Sequence, residues 1–311
     1  MESIDRTLDE TDLALIDALQ VNPRASWGSL GQILELSGMT VSRRWQRLVD
    51  TGAAWVTVAF NYREIRGAVL EIACRPSEAM AVALELAELP YVITVGVTTG
   101  QYQVFALIVA PSLREVSQLL AMDLPLPNGV IEMNSYLFSD FYGGVVWRLG
   151  IINTSKASRV RMSTEPSLGE VRPLSVEDRR LFLALGYDGR KSFTDLAEEL
   201  GSSPNAVRRR VDRLLRHGDI TFRCDVARPM AGMHSMALIW ISVPDSALEE
   251  VGRGLGAIPE TRHCSSVTGP ANVLLILSLR SLEHLGQLLR QIDEKFPVVR
   301  SEEHTSELQS L

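Results

Sequence analysis

The sequence predicts an α+β protein that contains the same two-domain unit twice. The chain has 311 residues, about twice the length of a usual domain, so several domains are expected. Hydrophobic residues make up 46% of the chain and charged residues 22%, which is typical of globular proteins and excludes a disordered chain. An internal repeat indicates how the domains are arranged, because the first third of the chain aligns without a gap on the sequence 166 residues further on.

The repeat pairs identical residues along most of one copy. After a slip of three residues the alignment resumes at a spacing of 169, where Gly100 meets Gly269. The stretch between the copies is rich in serine and proline, which predicts an exposed linker. The pairs at a spacing of 166 include Leu8 and Leu174, Asp12 and Asp178, Arg24 and Arg190, Arg43 and Arg209, Arg44 and Arg210, Arg47 and Arg213, and Gly52 and Gly218.

The first part of each copy predicts three helices followed by a short strand. In the second copy, Leu181, Phe182 and Leu185 form an apolar stripe with a helical period, and the first copy repeats this stripe. Ser203 is a suitable N-cap for the third helix, and Pro204 is a suitable first residue. A tight turn joins the last two helices. This order is that of a winged helix-turn-helix domain.

The third helix of each copy is a candidate DNA-recognition helix. Arginines cluster on it in both copies, although the chain as a whole carries a net charge of −7. Arginine in the major groove contacts phosphates or guanine edges. The alternative is a solvated basic face, which the tight helix pair and the matched positions in both copies disfavour. The predicted DNA-binding residues are Thr40, Ser42, Arg43, Arg44, Arg47, Asn205, Arg208, Arg209, Arg210 and Arg213.

The second part of each copy predicts the order βαββαβ, which is that of a ferredoxin-like domain. The apolar patterning of the first copy predicts a strand over 68–74, a helix over 77–89, strands over 92–97 and 103–109, a helix over 113–122 and a last strand over 130–137. The fold class is therefore α+β, with two winged helix-turn-helix domains that alternate with two ferredoxin-like domains.

A winged helix-turn-helix domain followed by a βαββαβ domain resembles the Lrp/AsnC family of bacterial and archaeal transcription regulators. The residues that carry the resemblance are Leu8 to Asp12, Asn22 to Arg24, Ser42 to Arg44, Val97 to Gly100, and Val207 to Gly218. The resemblance covers nearly the whole chain. It implies a DNA-binding regulator whose units pair through their βαββαβ domains, with a small-molecule effector, usually an amino acid, bound by those domains.

The resemblance implies an effector site at the turn between the two central strands of each βαββαβ domain. The family often has Gly-Asp-Tyr-Asp there, whereas this chain has Gly-Gln-Tyr-Gln over 100–103 and Gly-Pro-Ala-Asn over 269–272. An ammonium group would lack its acidic partner, so we expect weak or no response to common amino acids. The effector is then a different one or absent, and a tolerated hairpin turn is the alternative. The candidate effector-binding residues are Thr98, Thr99, Gly100, Gln101, Thr268 and Gly269.

The last residues depart from the family pattern. Residues 301–311 are polar, lack the alternation of a strand and resemble translated sequencing-adapter sequence. We therefore expect a non-native tail without function, and a second βαββαβ sheet that lacks its last strand. The predicted boundaries are 1–62 and 174–228 for the winged helix-turn-helix domains, 63–150 and 229–300 for the ferredoxin-like domains, 151–173 for the linker and 301–311 for the tail.

An enzyme is the alternative class. Sirohaem decarboxylases resemble Lrp/AsnC proteins, and a tetrapyrrole site could use His234, His263 and His284, although surface or core histidines explain these residues more simply. The sequence has no Ser-His-Asp arrangement, phosphate-binding loop or zinc spacing. We therefore predict no enzyme activity, no metal and no cofactor beyond a small-molecule effector. A scaffold that has lost DNA binding is a third alternative, which the arginines of both third helices disfavour.

The sequence predicts a cytoplasmic protein without a membrane span. It has no run of 18 apolar residues and no signal peptide. Three cysteines, Cys74, Cys224 and Cys264, lie far apart in the sequence without metal spacing, which predicts reduced thiols.

Because both copies lie on one chain, we expect them to pair within the chain. A flexible linker of about 20 residues spans roughly 25 Å, and tethering raises the effective concentration of the second copy towards millimolar. The predicted state is a pseudo-dimer that presents two recognition helices to double-stranded DNA, with higher homo-oligomers as a further option. Arg208 and Arg216 of the second copy replace Ser42 and Asp50 of the first, so we expect an imperfect palindrome bound more tightly under the second copy.

Overall fold

The computed structural model describes residues 8–60, 66–89, 91–110, 112–144, 147–161, 175–297 and 299–309. Residues 162–173 of the predicted linker lie outside the described residues. The chain divides into two units, and each unit contains the same half of both copies. Unit 1 consists of Met1–Asn61 and Arg148–Ala231, and unit 2 of Tyr62–Trp147 and Gly232–Leu311.

The first copy follows the predicted order of elements. In chain order it contains α1 (Glu10–Val21), α2 (Trp27–Leu34), α3 (Gly38–Asp50), β1 (Ala54–Phe60), β2 (Arg66–Cys74), α4 (Ala79–Ala87), β3 (Val92–Thr98), β4 (Val104–Ala110), α5 (Leu113–Gln118) and β5 (Val130–Gly143). A turn of π-helix over Leu119–Asp123 extends α5. The side chains of Ser26 and Ser37 accept hydrogen bonds from the first turns of α2 and α3, which is why these helices begin where they do.

The second copy repeats this order. It follows α6 (Thr154–Val160) and contains α7 (Val176–Tyr187), α8 (Phe193–Leu200), α9 (Pro204–His217), β6 (Ile220–Val226), β7 (Ser235–Ser242), α10 (Leu248–Gly256), β8 (Thr261–Val267), β9 (Val273–Leu279), α11 (Leu282–Lys295) and β10 (Arg300–Gln309). Ser203 caps α9 and Pro204 is its first residue, as predicted. Gly218 ends α9 in the left-handed conformation, at a φ of +74°.

In unit 1, the two winged helix-turn-helix domains pair through their wings. β1 and β6 form a two-stranded antiparallel sheet, with Ala54 opposite Val226 and Val58 opposite Phe222. A two-stranded sheet is marginally stable by itself. Here α1 of the first copy contacts β6 of the second, and α7 of the second contacts β1 of the first. This crossed packing buries the apolar face of both wings and joins the two copies.

The equivalent residues Arg24 and Arg190 add reciprocal contacts between these two domains. Arg190 donates hydrogen bonds to the carbonyl oxygens of Pro23 (2.5 Å) and Ala25 (2.9 Å), and Arg24 donates to two carbonyl oxygens of the second copy, at 2.5 and 3.0 Å. The guanidinium of Arg190 also lies 3.8 Å from the ring centroid of Trp27. Burial lowers the pKa of Arg190 to about 10, so it stays charged at neutral pH.

Replacing Arg190 with lysine is expected to lower the free energy of unfolding by about 1–2 kcal/mol. Lysine keeps the charge, but it has no planar fork that reaches two carbonyl oxygens and stacks on an indole ring. Chemical denaturation monitored by circular dichroism measures the change. Arg180→Lys, on an exposed position of α7, is the matched control. Equal denaturation midpoints for the two variants would contradict this role of Arg190.

Residues 148–161 of unit 1 pack on α1 and α2, contrary to the exposed linker that the sequence predicts over 151–173. Asp17 of α1 is fully buried, and its carboxylate accepts two hydrogen bonds from Arg148, at 3.0 and 2.9 Å. It also accepts the backbone N–H groups of Gly150 (3.1 Å) and Ile152 (2.8 Å). The prediction was wrong for residues 151–161 because polar composition does not reveal an anchor elsewhere in the sequence. Residues 148–150 likewise belong to unit 1 and not to the domain predicted over 63–150.

In unit 2, the two ferredoxin-like domains share one closed antiparallel sheet of eight strands. The strands follow the order β10-β3-β4-β2-β5-β8-β9-β7, and β7 pairs with β10. The copies meet at β5 and β8, where Phe138 lies opposite Val267. The helices α4 and α5 cover an apolar core of the first copy, and α10 and α11 cover one of the second. A third core combines side chains of both copies, including Phe105 and Trp240.

The prediction that the second domain lacks its last strand was wrong. Residues 300–309 form β10, which pairs antiparallel with β7 and, near its end, with β3. Backbone N–H and C=O groups at an open sheet edge are available to pair with another strand, and this pairing does not require an alternating apolar pattern. The polar sequence without alternation therefore still forms a strand, and the edge that was expected to be open is paired.

Candidate nucleic-acid interface

The candidate recognition helices α3 and α9 each end a helix-turn-helix. On α3, Val41, Trp45 and Leu48 are buried, and the equivalent positions of α9 are buried as well. Trp45 contacts Trp27, with 6.5 Å between the ring centroids, so it belongs to the core. This packing determines which side of each helix is available to DNA.

In the first copy, two of the predicted DNA-binding arginines form ion pairs with α1 and the residue that caps it. Arg44 donates hydrogen bonds to Asp12 (2.9 Å) and Asp9 (2.7 Å), and Arg47 donates to Asp12 at 2.5 Å. The side chain of Asp12 is 4% exposed, and a buried carboxylate requires such partners. Arg44 and Arg47 therefore position α3 against α1. The side chain of Arg47 is still 52% exposed, which leaves part of it available to DNA.

The second copy repeats this arrangement at equivalent residues. Arg213 donates a hydrogen bond to Asp178 at 2.6 Å, and Arg210 lies 3.6 Å from the same carboxylate. Burial raises the pKa of Asp178, but hydrogen bonds from Arg213 and Ser175 outweigh it and hold that pKa below its ordinary value. Asp178 is thus an ionised anchor at neutral pH, and Arg210 and Arg213 position α9.

Arg43 and Arg209, also equivalent residues, are exposed on the outer side of the recognition helices. Within the described ranges, no ion pair involves either side chain. Both therefore present a free guanidinium next to the arginines that position each helix. Their placement is what a residue that reads DNA requires.

The remaining predicted DNA-binding residues differ in their exposure and in the partners that their side chains contact. Asn205 and Arg208 are exposed near the start of α9, and Arg208 lies 3.9 Å from Asp212 of the same helix. On α3, Ser42 is half-buried, and the hydroxyl of Thr40 shares a hydrogen bond of 2.8 Å with that of Ser37. The second copy thus offers more exposed donors than the first.

The predicted effector-binding turn of the first copy is held by Gln103. Its amide donates to the carbonyl oxygens of Gly100 (2.8 Å) and Gln101 (3.2 Å), and its Oε1 accepts the N–H of Cys74 at 2.9 Å. Thr98 is buried and its N–H donates to the carbonyl of Gln103, whereas Gly100 has a φ of +109°. The candidate residue Thr99 is exposed next to them. The neutral amide of Gln103 therefore stabilises the turn through these hydrogen bonds.

The turn of the second copy contacts the first copy. Thr268 donates its N–H to the carbonyl of Leu137 at 2.8 Å, and its hydroxyl accepts the N–H of Leu137 at 3.0 Å. Gly269 has a φ of +124°, and a Cβ there would lie 2.6 Å from the ring of Tyr136. The N–H groups of Thr98 and Thr268 and the hydroxyl of Thr268 are thus already hydrogen-bonded within the fold. Asn272 repeats only the contact of Gln103 with Cys74, because its Oδ1 accepts the N–H of the equivalent Val243 (2.9 Å) and its Nδ2 donates to the carbonyl oxygen of Val243 (2.7 Å).

The histidines proposed for a tetrapyrrole site lie in three different environments. His263 is 3% exposed, packs against two phenylalanine rings and shares a hydrogen bond of 2.7 Å with Ser265. Burial lowers its pKa to about 3, so the ring is neutral. His284 lies 3.5 Å from Glu260, and His234 is exposed. Over the described ranges, no group of three or more His, Cys, Asp or Glu side chains could hold a metal ion.

Sequence reasoning missed the acidic residues that organise the interface. Asp12 and Asp178 are aligned in the repeat and lie three residues before the buried Leu15 and Leu181, on the same face of their helices, which is a signal for a buried ion pair. Asp17 gave no such signal, because Leu183 occupies the equivalent position in the second copy.

These features define a helix-turn-helix protein with two basic recognition helices. AsnC-type helix-turn-helix domains match residues 8–49 and 177–215, and the Lrp/AsnC ligand binding domain matches residues 236–305. The chain belongs to the Lrp/AsnC family of transcriptional regulators. No helix in the described part of the chain is long and apolar enough to cross a membrane.

The chain is similar to single-copy regulators from archaea and bacteria. LrpA, an HTH-type transcriptional regulator of Mycobacterium tuberculosis, is 31% identical over 117 residues, which cover 37% of this chain and 78% of LrpA. An HTH-type transcriptional regulator of Methanocaldococcus jannaschii is 30% identical over 115 residues, with 37% and 78% covered. These relatives are roughly half as long as this chain.

The solved structure of the siroheme decarboxylase NirDL is similar over both copies. It has a TM-score of 0.58 and 16% sequence identity, and the match covers 97% of this chain and 91% of NirDL. At this identity the likeness shows the fold alone.

Proposed function

We propose that the chain is a sequence-specific DNA-binding transcriptional regulator that acts as a pseudo-dimer within one chain. The observation that carries this proposal is the pairing of two equivalent helix-turn-helix domains through β1 and β6 in unit 1, each with an exposed arginine outside the ion pairs of its third helix, Arg43 or Arg209. Two domains paired in this way read two half-sites whose centres lie one helical turn, or a multiple of it, apart.

The two copies are proposed to read unequal half-sites. Arg209, Arg208 and Asn205 are exposed on α9, whereas the first copy offers Arg43 beside the smaller Thr40 and Ser42. More arginine contacts to phosphates and base edges give tighter binding. The operator is therefore an imperfect palindrome with its stronger half under the second copy.

The effector is proposed to be a small molecule other than a common amino acid, bound in unit 2 near the two turns. The neutral side chains of Gln103 and Asn272 support this proposal, because Gln103 is already hydrogen-bonded to its own turn and to Cys74, and Asn272 to the backbone of Val243.

Selection of bound fragments from a genomic DNA library, followed by footprinting, tests the proposed function. We expect one chain to protect two unequal half-sites on one face of the duplex, with binding that weakens as salt rises. A perfect palindrome bound by two chains, each using one of its recognition helices, would contradict the pseudo-dimer. Failure to enrich any fragment would contradict the regulator itself.

A siroheme-type decarboxylase is the second candidate, favoured by the likeness of the fold to NirDL over both copies. The burial of the neutral His263 speaks against a shared histidine site. Absorption spectroscopy of the purified protein, before and after addition of an iron tetrapyrrole, separates the candidates. Tetrapyrrole bands without enrichment of DNA would favour the enzyme.

A further inference from the structure

Glu71 and Trp240 occupy equivalent positions in the two copies and contact each other. Glu71 lies opposite Phe105 in the pair of β2 and β4, and Trp240 lies opposite Leu274 in the pair of β7 and β9. The indole N–H of Trp240 donates a hydrogen bond to Oε1 of Glu71 at 2.9 Å, across a separation of 169 residues. Equivalent residues that touch each other lie beside the pseudo-two-fold axis that relates the copies.

The contact lies at the core that both copies share. Trp240 is 6% exposed and Glu71 is half-buried. Tyr136 packs edge-on against the indole of Trp240, with 4.8 Å between the ring centroids, and its hydroxyl hydrogen-bonds to Glu71. Neighbouring equivalent positions are apolar in both copies, as with Val69 and Leu238. A carboxylate at this position therefore depends on donors that the other residues supply.

We infer that Glu71 and Trp240 make the two copies select each other and disfavour the pairing of like copies from two chains. Two first copies would bring two Glu71 carboxylates together, which repel each other when both are ionised. Two second copies would bring two indoles together, and each indole has an N–H donor and no acceptor. The unlike pair satisfies both groups, because the indole donates and the carboxylate accepts.

The reciprocal contacts of Arg24 and Arg190 do not make this distinction. Arg24 and Arg190 each donate to backbone carbonyl oxygens and stack on an aromatic ring, and both copies offer the same partners. Like copies could therefore form these contacts equally well. The selection assigned to Glu71 and Trp240 rests on the pairing within one chain that is part of the proposed function.

A single substitution in the full chain can place two carboxylates or two indoles at the axis, as a pair of like copies would. Calorimetric melting measures the effect on stability. Trp240→Glu places two carboxylates at the axis, whereas Trp240→Gln has the same size as that variant, carries no charge and can donate to Glu71. We expect Trp240→Glu to melt at least about 5 °C below Trp240→Gln. The exchanged variant, Glu71→Trp with Trp240→Glu, should recover at least half of that loss. Equal melting of Trp240→Glu and Trp240→Gln would overturn the inference.

A mixing experiment tests partner choice directly and uses no DNA, so its result is independent of the regulator proposal. The Trp240→Glu chain has two acidic copies, and the Glu71→Trp chain has two indole copies. The two chains are mixed at equal concentration and refolded together. Native mass spectrometry should then show that complexes of one chain of each kind make up more than half of all two-chain complexes, which is the fraction that random pairing gives. A statistical distribution, or separate chains alone, would overturn the selection.

Discussion

Replacing Arg209 with alanine should weaken DNA binding by about 1–3 kcal/mol, which is roughly 5- to 150-fold, if its guanidinium reads a base edge. The side chain is exposed on α9, and no ion pair involves it within the described residues, so the free energy of unfolding should stay within about 0.5 kcal/mol of wild type. Titration of the selected operator and of base-substituted operators measures the loss. Specificity should relax at one base pair.

Arg213→Ala is the matched control on the same helix. Because Arg213 pairs with the buried Asp178, this variant should lose stability as well as DNA affinity. Arg43→Ala should reproduce the effect of Arg209→Ala in the weaker half-site. If the affinity stays unchanged in Arg209→Ala and in the Arg43→Ala, Arg209→Ala double variant, both well folded, the two arginines do not contact DNA. A uniform loss over all sequences, with a salt slope smaller by about one, would assign Arg209 to a phosphate.

Replacing Asp17 with alanine should lower the free energy of unfolding by about 2–4 kcal/mol. The variant removes an acceptor of four hydrogen bonds and leaves the N–H groups of Gly150 and Ile152 without it. The side chain of Arg148 is 31% exposed, so water offsets part of the loss of its ion pair, and the expected cost is below that of a fully buried pair.

Leu183→Ala is the control for Asp17→Ala, since Leu183 is the equivalent residue of the second copy and is 49% exposed. It should change stability by about 0.5 kcal/mol or less. Denaturant titration compares the two variants, and proteolysis within residues 148–161 should accelerate in Asp17→Ala alone. Equal stability of both variants would show that residues 148–161 do not depend on the buried carboxylate.

The arginines of each third helix thus have two different roles, positioning the helix and offering a side chain to DNA. The residue type alone does not show which arginine has which role. Arg43 and Arg44 are adjacent in the sequence, yet Arg44 positions α3 through two aspartates and Arg43 is exposed. The difference arises because adjacent helical residues point about 100° apart, and α1 lies on one side.

The sequence by itself determined the repeat, the order of helices and strands, and the caps of α3 and α9. The period of the apolar residues, Ser and Pro at the starts of helices and Gly at their ends are signals that depend only on residues close together in the sequence. They can therefore be recognised without the tertiary structure. The matched arginines of both copies also located the candidate interface, and the chain's place in the family agrees with it.

Only the tertiary structure decided how those residues are used. The ion pairs of Asp12 and Asp178, the docking of residues 148–161 on Asp17 and the contact of Glu71 with Trp240 all join residues at least 32 positions apart. The strand β10 forms from polar residues because the open edges of β7 and β3 accept its backbone. The repeat marks Asp12 and Asp178, but the partner of each of these residues depends on which surfaces the fold brings together, and the local pattern of the sequence does not specify that partner.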